Sequence, residues 1–154
     1  MSDLSDLYPA FASHWIDAPN GRIFARSHGK GPPLLLLHGY PQTHVCWHRI
    51  APGLAGHSTL VIPDLRGYGA SHCPAGDAGH IAYSKRAMAN EMRGVMKTLG
   101  HDRFIVAGHD RGGRVAYRMA FDHPDAVSAL IPIDILPTAE VWDRMTAEIG
   151  RAHV

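Results

Sequence analysis

Cysteine is scarce in this sequence: Cys46 and Cys73 are the two among 154 residues. Their separation fits neither a disulfide framework nor a metal-ligand pair. Both therefore read as small apolar or loop residues in a reducing compartment. Charge of either sign is also sparse. Charged residues make up 19% of the chain and the formal net charge is +1, which leaves no electrostatic case for nucleic acid or a membrane surface as partner. Long apolar runs are missing as well: the longest, Pro32 to Leu37, is far too short to span a bilayer. Met1 to Ala10 carries Asp3 and Asp6 and lacks the basic segment and apolar core of a secretory leader. The expectation is a soluble, cytoplasmic protein. No internal repeat or low-complexity tract is present.

What the chain does have is apolar content. At 45% hydrophobic it carries enough to bury a sizeable single core. It also has twelve histidines, which raises the question of a metal. Their spacing argues against one. His44 and His48 form the one His-x-x-x-His pair near a helical segment, and no Glu lies between them to complete a metal site.

Periodicity organises the chain into a hairpin followed by strand–helix units. Trp15 to Ala18 and Arg22 to Ser27 alternate around Pro19-Asn20-Gly21 and read as a β-hairpin at a sheet edge. Leu34 to Leu37 and Ser58 to Ile62 are continuous apolar runs, as expected of strands buried on both faces. Cys46 to Leu54 carries Trp47, Ile50, Ala51 and Leu54 at helical spacing. Leu65 to Gly79 is rich in breakers and reads as loop. Ser84 caps a predicted helix that runs to Leu99 with an apolar face of Ala87, Met88, Met92, Val95, Met96 and Leu99. Arg103 to Ala107 and Val127 to Ile133 are further strands, Val115 to Asp122 is a helix between them, and Thr138 to Arg151 reads as another helix. The pattern predicts an α/β fold: a mostly parallel sheet flanked by helices. Active sites of such sheets lie beyond the carboxyl ends of the strands, and His38-Gly39-Tyr40-Pro41, Asp64-Leu65-Arg66-Gly67, Asp110 and Asp134 all fall there.

The most informative stretch is Gly108-His109-Asp110-Arg111-Gly112-Gly113-Arg114. A buried strand runs into Gly-x-Asp-x-Gly-Gly and then into a helix. Small residues at those positions permit the strained strand-to-helix turn that lifts one side chain above a sheet, a nucleophile elbow. Here the lifted residue is Asp110. A carboxylate nucleophile suits attack at a saturated carbon bearing a leaving group, through a covalent ester. A plain helix N-cap would also use Asp, but it would not call for glycine at 108, 112 and 113. Tyr40 and Arg111 are the candidate oxyanion-hole donors through their backbone N–H groups. Arg111 and Arg114 are three residues apart and so share one side of the first helical turn. As paired guanidinium groups beside a reactive carboxylate, they suit a small anionic substrate held by its own carboxylate. Asp134 ends a strand, where it is placed either to orient a water-activating histidine or to open the Leu136-Pro137-Thr138 turn.

Together, His38-Gly39-Tyr40-Pro41-Gln42, Asp64-Leu65-Arg66-Gly67-Tyr68-Gly69-Ala70-Ser71, the Asp110 elbow and Asp134-Ile135-Leu136-Pro137-Thr138 resemble the α/β-hydrolase fold. More narrowly they resemble its haloacetate (fluoroacetate) dehalogenases, over about the N-terminal half of a typical member. The Asp elbow is shared with haloalkane dehalogenases and epoxide hydrolases, whose residue after the nucleophile is usually Trp; here it is Arg111. The resemblance implies that Asp110 displaces halide from a 2-haloacid, that Arg111 and Arg114 hold the substrate carboxylate, that Asp134 is the triad acid, and that no cofactor is needed. An epoxide hydrolase, or a non-catalytic remnant that binds a partner through an open sheet edge, are the competing expectations. By the same resemblance, residues 1–138 correspond to the N-terminal part of the hydrolase core and 139–154 to the start of a cap helix. The fold is then truncated before the rest of the cap and the last strands, which in the family carry the halide cradle and the general-base histidine. His153 lies on the wrong element to be that base. An incomplete sheet would leave an open edge that favours aggregation or pairing with another chain, a homodimer included.

Overall fold

The computed structural model describes residues 6–136 and Glu140. The helix expected over Thr138 to Arg151, and with it the 139–154 segment, lies outside the described residues, Glu140 apart. The elements in chain order are β1 (Ala12–Ala18), β2 (Gly21–His28), β3 (Pro33–Leu37), α1 (Ala51–Ala55), β4 (Thr59–Pro63), α2 (Lys85–Thr98), β5 (Phe104–His109), α3 (Arg111–Asp122) and β6 (Val127–Ile133). Short 3₁₀ turns occupy His44–Trp47 and Ile81–Tyr83.

The strands form one six-stranded sheet in the order β1-β2-β4-β3-β5-β6. The hairpin β1–β2 stands at one edge and pairs antiparallel to β4. Strands β4, β3, β5 and β6 run parallel to one another. β3 lies between β4 and β5, so the chain leaves it toward one side of the sheet for β4 and returns to its other side for β5. That reversal is a topological switch point, where the loops at the carboxyl ends of adjacent strands diverge and leave a crevice.

The run Leu34-Leu35-Leu36-Leu37 shows why a continuous apolar stretch was needed. Successive side chains of a strand point to opposite faces. Leu35 and Leu37 join Val61, Val106, Met92, Met96, Val115 and Met119 under α2 and α3. Leu34 and Leu36 join Tyr8, Phe11, Trp47, Ala51, Leu60 and Ile62 on the other face. At β6 the cover is one-sided. Val127 and Leu130 pack against the α2–α3 cluster, while Ile131 and Ile133 are exposed.

Two elements differ from the sequence expectation. The helix expected over Cys46 to Leu54 is split into the 3₁₀ turn, capped by the Thr43 hydroxyl, and the five-residue α1, which has Pro52 in its first turn. A continuous helix through this stretch would lose the hydrogen bond that Pro cannot donate and set its ring against the carbonyl four residues earlier. Conversely, α3 begins at Arg111 and not at Val115. Gly112 and Gly113 are poor helix formers, but their neighbours leave no room for a side chain. No helix among the described residues is long and apolar enough to cross a membrane.

Candidate active site

Asp110 connects β5 to α3 with φ 48° and ψ −116°. A side chain in that region costs of order 1–3 kcal/mol and persists only where the surroundings enforce it. The surroundings here are backbone. A Cβ at Gly39 would stand 2.6 Å from Asp110 Cβ and 2.8 Å from its Oδ2, and one at Gly112 would collide with the carbonyls of Leu37 and His38. The end of β3 and the start of α3 are thus in near contact, and the Asp110 side chain is lifted over that contact.

The carboxylate does not cap its helix. Instead Oδ2 accepts the backbone N–H of Tyr40 at 2.8 Å, and the nearby Arg111 backbone N–H also favours the carboxylate. These are the two N–H groups expected from the sequence to form an oxyanion hole. Partial burial pushes the Asp110 pKa up, but the two N–H groups, with His109 and Arg111 nearby, outweigh it and hold the group below the ordinary carboxylate range. Asp110 is therefore ionised, with Oδ2 held by the Tyr40 N–H.

The Arg111 guanidinium lies over the Tyr40 ring, 5.0 Å from its centroid, and donates to the Tyr68 hydroxyl at 3.4 Å. The Tyr40 ring is 62% exposed, so it acts as a shelf at the surface. Arg111, Arg114, Asp110 and Lys85 line one polar pocket. The two arginines are thus brought together as their spacing predicts. Lys85 was missed as a site residue. It reaches the pocket from the first position of α2, and the one local signal for it is a cation placed at the positive end of a helix dipole, where cations are disfavoured.

Asp134 follows β6 with φ 54°. Its side chain is 87% exposed, with Oδ2 3.8 Å from His109 Nε2. His109 Nδ1 faces Gln42 Oε1 at 3.2 Å. Asp134 thus stands on the same rim as the elbow. No histidine among the described residues hydrogen-bonds the Asp110 carboxylate.

The Asp64-Leu65-Arg66-Gly67 motif sits at the correct end of the sheet but builds loops instead of lining the pocket. Asp64 is fully buried. It accepts from the His44 backbone N–H at 2.7 Å, the His44 ring at 2.8 Å and the Ala70 N–H at 2.9 Å. Arg66 pairs with buried Glu91. His38, also buried, donates from Nδ1 to the Gly39 carbonyl and accepts at Nε2 from the Leu65 N–H. Burial is the main cause that depresses its pKa, which fits a neutral ring tying the loop after β3 to the loop after β4. His44 and His48 point to separate partners, Asp64 and the Val45 carbonyl. Among the described residues no group of three metal-ligating side chains is assembled.

Comparison with known proteins identifies the fold family. The family model for the alpha/beta hydrolase fold matches residues 32–151, and the chain belongs to that family. It is 46% identical over 147 residues to a fluoroacetate dehalogenase of Burkholderia sp, covering 96% of this chain and 48% of that protein. It is 42% identical over 109 residues to a soluble epoxide hydrolase of Corynebacterium sp. (strain C12), covering 71% of this chain and 36% of that one. Among solved structures, an α/β hydrolase of Nostoc sp PCC 7120 superposes with a TM-score of 0.91 at 49% identity, covering 95% of this chain and 50% of that chain. The chain spans about half the length of the dehalogenase and of the Nostoc protein.

Proposed function

We propose that the site performs nucleophilic displacement of halide from the α-carbon of a small 2-haloacid such as chloroacetate or fluoroacetate. The observation that carries this reading is the Asp110 carboxylate: ionised, lifted above the sheet, with Oδ2 held by the Tyr40 N–H and cationic side chains on its open side. The other carboxylate oxygen, Oδ1, attacks the α-carbon in line with the carbon–halogen bond. A carbon–oxygen bond forms, the carbon–halogen bond breaks, and halide leaves with the electron pair. Arg111 and Arg114 hold the substrate carboxylate and so fix the direction of attack, a contribution of positioning.

In the aspartyl ester the oxygen held by Tyr40 becomes the carbonyl oxygen. It already accepts the Tyr40 N–H, with the Arg111 N–H as the second proposed donor, so charge developing on it during hydrolysis meets a donor already in place. Water attacks that carbonyl, the ester carbon–oxygen bond breaks, and a hydroxyacid leaves. Asp134 has the role of orienting the histidine that deprotonates this water. Ester formation is the step to be tested.

The test is intact-protein mass spectrometry with a halide electrode. Chloroacetate should release halide and add one carboxymethyl group to the 154-residue chain, mapped to Asp110, and D110N should abolish both. The soluble epoxide hydrolase relative makes epoxide opening by the same carboxylate the rival reading, because the attack at saturated carbon is chemically equivalent. An adduct from styrene oxide with none from chloroacetate would establish the rival and overturn the haloacid assignment.

A further inference from the structure

We propose that Lys85 is a third substrate-binding residue of this pocket, one that recognises the carboxylate of the haloacid together with Arg111 and Arg114. The proposal rests on the haloacid reading for the substrate's chemistry, but its evidence is separate. Lys85, Asp110, Arg111 and Arg114 line one cavity of about 470 Å³. Three of these four carry positive charge and one carries negative charge, so the empty pocket keeps an excess of two positive charges. None of the three cations is joined to an acidic side chain by an ion pair among the described residues.

The position of Lys85 makes that excess harder to explain by folding. It is the first residue of α2, directly after the capping Ser84. The dipole of a fourteen-residue helix opposes a cation there, whereas an acidic residue in the same place would be favoured. Lys85 is only partly exposed. Burial first, then the charges of Arg111 and Arg114, depress its pKa below the ordinary lysine range, with Asp110 opposing. Every local influence except Asp110 disfavours the ammonium in the empty pocket. A bound carboxylate reverses that balance and supplies the anionic partner that none of the three cations has in an ion pair among the described residues. A site whose local preferences conflict until a ligand arrives is the pattern expected where function, not stability, chose the residue.

The reading also divides the work inside the pocket. The arginines sit on α3 beside the nucleophile and set the angle of approach. Lys85 comes from α2, a separate element, and adds charge without sharing the elbow's backbone. Its loss should weaken binding and leave the limiting rate of ester formation nearly unchanged.

The test uses acetate, which carries the carboxylate but no leaving group, with acetamide as the neutral control. Acetate binding to the 154-residue chain is measured by NMR titration for the parent, K85M and K85R. The expected result is roughly tenfold weaker acetate binding in K85M, the size of a lost charge-assisted hydrogen bond, with K85R within about threefold of the parent and acetamide showing no dependence on Lys85. Circular dichroism of each variant establishes that it is folded. In parallel, the chloroacetate concentration for half-maximal ester formation should rise by the same factor in K85M, while the limiting rate stays within about threefold. Equal acetate binding by parent and K85M, or no acetate binding by the parent, overturns the role of Lys85. Acetate binding that depends on Lys85, with no ester from chloroacetate, upholds it and overturns the displacement chemistry instead.

Discussion

Gly39→Ala is the sharpest probe of how the elbow is held. The added methyl carbon would lie 2.6 Å from Asp110 Cβ, 2.8 Å from Oδ2 and 3.0 Å from the His109 carbonyl oxygen. Carbon atoms in comfortable contact are about 3.5–4.0 Å apart, so roughly 1 Å of separation must be created between two backbone segments. Neither can give way cheaply. Leu37, at the end of β3, pairs with Gly108 of β5, and Gly112 fills the space beside the Leu37 and His38 carbonyls. Overpacking of this kind costs about 1–3 kcal/mol, which for a chain of this size is a fall in Tm of roughly 4–8 °C at the middle of that range. The displacement falls on Asp110 and on its 2.8 Å bond to the Tyr40 N–H. A misplacement of about 1 Å at a reacting atom is worth on the order of a hundredfold in rate. Scanning calorimetry and the rate of ester formation from chloroacetate measure the two effects on the same sample. Gly53→Ala is the control, because a Cβ there meets nothing within 4 Å, and it should leave both quantities near the parent values. A Gly39→Ala chain that melts with the parent and esterifies within threefold of its rate would refute the claim that this close approach positions Asp110.

Two further perturbations test the supports of the site. Asp64 is buried, and burial raises its pKa, but its bonds from the His44 ring and from the His44 and Ala70 N–H groups prevail and hold it below the ordinary carboxylate value. A depressed carboxylate stabilises the fold fully above its unfolded pKa and loses that contribution as pH falls through the folded value. The melting temperature should therefore drop below about pH 4. D64N should flatten that acid limb and cost about 3 kcal/mol at neutral pH; a D64N chain with the parent's acid limb would exclude Asp64 as its source. Y68F removes the hydroxyl that accepts from Arg111. The ratio of limiting rate to half-saturating chloroacetate concentration should fall roughly fivefold, the value of one hydrogen bond of about 1 kcal/mol, with the fold unchanged; unchanged kinetics would contradict a positioning role for Tyr68.

The parts of the site that could be read from the sequence are those written in local turn chemistry. Gly108, Gly112 and Gly113 around an Asp announce an elbow because a strained strand-to-helix turn needs small residues at those spacings, wherever in a fold it occurs. The candidate oxyanion donors follow from the same logic, since one comes directly after Asp110 and the other from the turn His38-Gly39-Tyr40-Pro41. Strand β3 was legible because burial on both faces demands an unbroken apolar run. Boundaries were less so: α1 and the start of α3 depend on whether a proline or a glycine pair is tolerated, and packing decides that.

Lys85 and Asp64 were hidden for a different reason. Lys85 lies twenty-five residues before Asp110 in the sequence, and the two meet because β5 inserts beside β3 and turns α3 back toward the N-terminus of α2. That proximity belongs to the strand order β4-β3-β5, which no window of residues contains. Asp64 was visible as a strand-end carboxylate, but its side chain turns inward to the His44 and Ala70 groups, so a residue in a position suited to chemistry serves as the anchor of a loop. Gly67, Gly69 and Pro74 mark the segment after β4 as irregular, yet it is closely tied: Gly67 N–H donates to His72, Ser71 N–H to Tyr68, and the Ser71 hydroxyl to the Asp64 carbonyl. Breaker residues identify where regular structure stops; they do not distinguish a loose loop from one fastened around a buried carboxylate. That distinction matters for function here, because Tyr68 is carried on this segment and reaches Arg111 only if the segment is held. Asp64, which touches neither the pocket nor Asp110, is thereby coupled to the guanidinium proposed to position the substrate.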